Sequence, residues 1–229
     1  MQTRHLELGD HLTALAQEVR GKREHSRLTI LATAARMAST VDFLEFRVPD
    51  LCKMCGISRA TFYLHFSTKD DLFVELMRQL TTLESSLTPS FENCADIEAA
   101  VDLAADWYVD VHLANAALFI NLTYLQRTNP AITDSWMLRT RQLHSALFGE
   151  LQRFEQFRAL DKSMVNFVLE FFAGGMNSLV SHYRNRPPHN PYVPAEISDA
   201  KRAISLTFYR ALFGSDPKPR DGVKAKASL

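Results

Sequence analysis

The stretch Gly56-Ile57-Ser58-Arg59-Ala60-Thr61-Phe62-Tyr63-Leu64-His65-Phe66-Ser67-Thr68-Lys69-Asp70-Asp71-Leu72 decides the fold. Ser58 can N-cap a helix running from 59 to about 65. Phe62 and Phe66 stand at i and i+4 in it, so they share an inward face. Arg59, Thr61, Tyr63 and His65 are left outward or flanking. Upstream, Pro49 suits the first turn of a short helix that ends before Gly56. Two short helices joined by a tight turn read as a helix-turn-helix. Its second helix would enter a DNA major groove with apolar anchors behind and hydrogen-bonding groups in front. An ordinary helical hairpin has the same pattern, and the pattern alone leaves both open.

Charge is distributed in keeping with the first reading. The 26 basic and 26 acidic residues cancel over the whole chain. Residues 20–69 nevertheless hold nine basic groups (Arg20, Lys22, Arg23, Arg27, Arg36, Arg47, Lys53, Arg59, Lys69) against four acids. A basic N-terminal module on a mildly acidic body suits a polyanion partner, although moving the boundary past Asp70 and Asp71 shrinks the surplus.

Composition narrows the class. The 229 residues make one large domain or two modest ones, and 46% hydrophobic residues supply a sizeable core. With 8 glycines and 9 prolines, the chain lacks the turns of an all-β protein. No apolar run approaches a membrane span, and the first residues have no secretory h-region. Three cysteines are too few for a disulfide framework, so the expected compartment is the reducing cytoplasm.

The periodicity predicts consecutive helices and an all-α fold. They fall at 6–19, 24–40, the two of the helix-turn-helix, and a long one capped at Ser67 or Thr68 that Pro89 stops. Further helices are predicted at 94–113, 115–128, 130–157, 161–186 and 198–213. Pro187, Pro188, Pro191 and Pro194 mark a non-helical connector. The expected organisation is an N-terminal helical and basic arm (1–23), a DNA-binding domain (24–70), a ligand-binding and dimerisation domain (71–214) and a disordered tail (215–229).

The quoted stretch resembles the signature of the TetR family of bacterial repressors at nearly every diagnostic place, and Ala34-Ala35 and Val48-x-Asp50-Leu51 also fit. The likeness is clear over about 27–73; beyond it, Phe171 to Asn177 is similar to the penultimate helix of many members. The resemblance implies that Thr61, Tyr63 and Lys69 bind phosphates, and that Arg59, Ala60 and Leu64 approach bases, with Ser58 and His65 alongside. Arg47 replaces the family's Thr before the second helix, Asp42 its turn Gly, and Ala38 its Phe. Ala60 replaces the recognition-helix Gly. Arg47 is therefore expected to reach phosphate or minor groove, and Phe43 or Phe46 to refill the space left at Ala38.

No nucleophile elbow, phosphate loop or zinc-protease motif is present, so no catalysis, cofactor or metal is expected. Cys52 and Cys55 stand at i and i+3; packing is the plain reading and thiol redox sensing the alternative, with Cys94 distant. In the body, polar His112, Asn115, Asn121, Thr140, His144, Asn166 and Glu170 lie among aromatics, a pattern that suits a mostly apolar ligand site. Two stripes run along 161–186. Val168, Phe172, Gly175, Met176, Leu179 and Tyr183 are assigned to a dimer face. Phe167, Glu170, Phe171 and Gly174 are assigned to a pocket with Trp107, Tyr108, Val111, Tyr124, Trp136, Thr140 and His144. Glu170 needs a partner: Arg139, Arg141, solvent or a ligand group. The expected protein is a homodimeric repressor that binds a double-stranded operator and is released by a small apolar or aromatic molecule, with no membrane partner. Its rivals are a same-fold DNA-binding protein without a ligand, a thiol-redox regulator and, least favoured, a helical enzyme.

Overall fold

The computed structural model describes residues 6–185, 196–215 and 217, without the side chains at 173, 176–178 and 180–185. The proline connector, nearly all of the tail and the side chains of Met176 and Tyr183 thus lie outside the described residues. Among the described residues every regular element is an α-helix: α1 (Leu8–Glu18), α2 (Lys22–Ala38), α3 (Val48–Cys55), α4 (Arg59–Tyr63), α5 (Lys69–Leu87), α6 (Ile97–Ala114), α7 (Ala116–Gln126), α8 (Pro130–Leu151), α9 (Glu155–Arg158), α10 (Lys162–Asn185) and α11 (Ile197–Phe213). None is long and apolar enough to cross a membrane.

Local chemistry sets most boundaries. Asp96 accepts from the Ala99 amide and starts α6. Asn129 accepts from the amides of Ala131 and Ile132, with Pro130 in the first turn of α8. The continuous helix expected over 130–157 is divided instead. Phe154 is extended, and the chain turns so that Phe157 is buried against Phe148, ring centroids 5.5 Å apart. Burying that aromatic outweighs the hydrogen bonds of one more helical turn.

One apolar core runs from the head (α2–α4) into the body (α5–α11). The segment expected as a separate arm is tied to it. Leu8, Leu12 and Ala16 of α1 are buried, and Arg36 of α2 bonds Asp10 at 2.9 Å and Thr13 at 2.8 Å. Gly9 allows the close approach, because a Cβ there would sit 2.8 Å from Arg36 Cγ. Arg20 is exposed just before α2, and Lys22 and Arg23 begin that helix.

Candidate functional site

The head presents a formed helix-turn-helix. Gly56 ends α3 in the left-handed region (φ 67°), and the Ile57 amide donates to Cys52 O at 3.0 Å. Ser58 Oγ accepts from the Thr61 amide at 3.0 Å and lies 2.9 Å from the Thr61 hydroxyl. Phe62 and Phe66 are buried, as expected from their spacing, with ring centroids 5.7 Å apart. The opposite side is open: Arg47, Ser58, Arg59 and Ala60 are exposed, Tyr63 is 51% exposed and Leu64 73%. Thr61 and His65 are half-buried beside them. Burial lowers the pKa of His65, and the charges of Arg23 and Arg27 lower it further. The basic start of α2 therefore lies close enough to α4 to act on it electrically. An exposed Arg, Tyr and Leu on a capped helix can meet phosphate, base edges and a thymine methyl.

Lys69 is engaged within the chain. Its ammonium donates to Phe43 O at 2.8 Å and lies 3.8 Å from the centre of the Phe43 ring, and burial lowers its pKa. It braces the turn between α2 and α3 in the free protein. Phe43 and Phe46 each pack edge-on against Phe73, in the core that also holds Ala38. Asp42 is accommodated by a helical turn, in which the amides of Glu45 and Phe46 donate to its carbonyl.

Two asparagines expected near the ligand pocket tie the body to N-terminal segments instead, Asn121 to the head and Asn115 to the start of α1. Asn121 of α7 accepts from the Phe43 amide at 2.7 Å and donates to Ala38 O at 3.0 Å and Val41 O at 3.2 Å. Asn115, between α6 and α7, accepts from the Leu8 amide at 2.9 Å and donates to Leu6 O at 2.8 Å. The signal was in the sequence: an Asn inside an apolar helix needs partners for all its polar atoms, and irregular backbone elsewhere in the chain supplies them.

The body holds a buried ionic knot. Arg139 donates to Glu84 through Nε and Nη2, both at 2.5 Å. Nη2 also reaches His112 Nε2 at 3.2 Å. A guanidinium only donates, so Nε2 accepts and Nδ1–H donates to Tyr108 O at 2.8 Å. His112 is thus neutral, its pKa pushed well below the ordinary value by burial and by Arg139. Burial opposes the charge of Arg139, but the Glu84 carboxylate outweighs that and raises its pKa. The rings of Phe119 and Trp136 face the guanidinium at 4.9 and 5.4 Å. Glu84 went unnoticed in the sequence, although it occupies the buried stripe of α5 with Leu80, Leu83 and Leu87.

Beside this knot, a narrow cleft lies between α6, α8, α10 and α11. Tyr108, Thr140 and His144 line it as expected, together with Arg139. Leu143, Leu147, Leu169, Phe172 and Phe208 form much of its apolar wall.

The other pocket assignments need correction. Val111 and Trp107 are buried in the core, and the Trp107 indole N–H has no partner among the described residues. Tyr124 is exposed on α7 near Phe43, and Trp136 packs edge-on against Phe119.

The stripe of α10 assigned to the pocket faces outward in this chain. Phe167 and Phe171 are 67% and 69% exposed, and Glu170 and Gly174 are exposed with them. Val168 is buried, Leu179 is half-buried, and Phe172 packs edge-on against Phe208 at 5.1 Å. The inward row begins at Val165 and continues through Val168, Leu169 and Phe172, a spacing the sequence offers as readily as the other. Gly175 is exposed with open space around it, so the assigned dimer stripe divides. Glu170 does not pair with Arg139, whose partner is Glu84, and it stands outside the cleft lining. Burial raises the pKa of both Cys52 and Cys55, which disfavours the thiolates that redox sensing needs.

The family model for "Bacterial regulatory proteins, tetR family" matches residues 30–76, the stretch from within α2 into α5. The chain is 35% identical over 112 residues to the HTH-type transcriptional regulator EthR of Mycolicibacterium smegmatis, a match covering 47% of this chain and 50% of that protein. It is 36% identical over 72 residues to EthR of Mycobacterium tuberculosis (strain H37Rv), covering 31% and 33%. Over 95 residues it is 32% identical to the "Uncharacterized HTH-type transcriptional regulator YdgC" of Bacillus subtilis, covering 38% and 48%. The matches thus span half or less of the relatives' length. Among solved structures, Salmonella enterica GusR superposes with a TM-score of 0.64 at 13% identity, covering 84% of this chain and 98% of that one, a likeness of fold alone. The head carries the matched signature on a formed helix-turn-helix, and over residues 30–76 the chain is of the tetR family of bacterial regulatory proteins.

Proposed function

We propose that this protein is a DNA-binding transcriptional regulator that acts as a homodimeric repressor and leaves its operator when a mostly apolar small molecule enters the cleft. One observation carries the reading: Arg59, Ala60, Tyr63 and Leu64 stand exposed on a capped helix whose opposite side is anchored by Phe62 and Phe66. The exposed row Met164, Phe167 and Phe171 on α10 suits burial against a second copy. The cleft touches α6, which runs on toward Asn115 and, through α1, toward the head, and that path links ligand and operator in one equilibrium.

The test is selection of duplexes from a random pool by the full-length protein, followed by footprinting. The expected result is a protected pseudo-palindrome with half-sites about one helical turn apart, or a related spacing. Failure to enrich any sequence contradicts the proposal.

A further inference from the structure

Tyr108 stands where the ionic knot meets the cleft. The Arg139 guanidinium, which donates to Glu84 and reaches His112, stands close enough to the Tyr108 hydroxyl to act on its pKa against burial. Beside a guanidinium, which only donates, the phenol oxygen can only accept, and its own proton remains to be given. Among the described residues no acceptor takes it. Burial raises the pKa of this phenol, so it keeps the proton. Thr140 follows Arg139 on α8 and adds a hydroxyl with no hydrogen bond among the described residues. His144 lies one turn further; burial lowers its pKa, with Glu170 opposing and Arg139 assisting, so it is a neutral donor and acceptor. The polar end of the cleft thus offers uncharged hydrogen-bonding groups, and the remaining lining is apolar.

Charge narrows the occupant further. Arg139 is the only cation among the described lining residues, and Glu84 already neutralises it. An entering carboxylate would meet Glu84 and find no free cation. An entering ammonium would meet Arg139 first, because Glu170, although close enough to act on Tyr108 and His144, stands outside the lining. Either ion would be buried unpaired. We propose that the cleft selects an uncharged, largely apolar molecule bearing a carbonyl oxygen, which accepts a hydrogen bond from the Tyr108 hydroxyl. This rests on the reading of the cleft as the effector site.

Three nine-carbon probes test it on the full-length protein near neutral pH by titration calorimetry: 2-nonanone, nonanoate and nonylamine. The expected result is that 2-nonanone binds at least tenfold more tightly than either ion, and that Tyr108→Phe weakens it at least tenfold. Comparable or tighter binding of an ion, ketone affinity unchanged in Tyr108→Phe, or binding of no probe overturns the proposal. If Tyr108→Phe fails to fold by circular dichroism, the order of the three probes on the unsubstituted protein decides. Release of DNA is measured separately: ketone selectivity without release keeps the ligand class and refutes the effector reading.

Discussion

The head and the body place their polar residues oppositely. In the head, Arg59, Tyr63 and the edge of α4 face solvent over a Phe62–Phe66 anchor. In the body, Glu84, His112 and Arg139 are buried on one another. A surface that reads a partner is built from near neighbours along one helix, so spacing reveals it. The buried knot joins residues 55 positions apart, and no local pattern announces such a pair. The difference teaches that an outward polar face can be read one helix at a time, whereas an inward one depends on which helices meet.

The largest effect should come from halving the knot. Arg139→Met leaves Glu84 as an uncompensated buried charge and should cost roughly 3–5 kcal/mol in urea unfolding. Arg139→Met combined with Glu84→Leu should recover most of that loss, since burying an ion pair gains little over apolar packing. A single substitution as harmless as the double would show that the knot is solvated, and the contrast with the head would weaken.

Asn121→Ala comes next. It removes three hydrogen bonds that hold the turn at residues 38–43, and unsatisfied buried groups cost roughly 1–3 kcal/mol. Faster hydrogen exchange should be confined to the α2–α3 turn and the adjacent end of α2, with the body unchanged. Exchange rising equally in α8 and α10 would mean that Asn121 serves the whole core.

The knot also gives the body a pH response. His112 has a folded-state pKa below its unfolded value, so the unfolded chain takes up the proton first as pH falls. The stability it confers is present above about pH 6.5 and is lost as pH drops below, by up to about 1.4 kcal/mol per pH unit. Unfolding followed between pH 7.5 and 5 should show that slope, and His112→Gln should flatten it. A stability that stays level over that range would place a charge on His112 in the folded state.

The smallest effect on stability is expected at Phe167. Its exposed ring packs on little within one chain, so Phe167→Ser should change unfolding by no more than about 0.5 kcal/mol at protein concentrations where the chain is a monomer. The same substitution should lower self-association in ultracentrifugation. Association equal to that of the unsubstituted protein would move the dimer contact off this face of α10.

Legibility follows the same division. Ser58 as cap, Phe62 and Phe66 as anchors, and Thr68 as a further cap were readable, because each is a contact within four residues along the chain. The helices were readable too, except where Phe157 folds back on Phe148. The contact of Lys69 with the carbonyl of Phe43 was not readable, because the two lie 26 residues apart and meet in a turn that departs from the family's Gly. The pocket stripe of α10 was placed inward because both stripes carry aromatics at helical spacing, and the packing of Phe172 on Phe208 separates them. Tyr108, Thr140 and His144 were recovered in the cleft because they lie on the sides of α6 and α8 that meet it.

The central claim is that the outward face of α4 reads base sequence, and Arg59→Ala tests it most directly. Binding of the full-length protein to a duplex enriched by selection, and to a shuffled duplex of the same composition, is followed by fluorescence anisotropy at fixed salt. The account predicts a loss of roughly 1–3 kcal/mol per half-site on the selected duplex and little change on the shuffled one. An equal loss on both would make Arg59 a phosphate contact and contradict the claim.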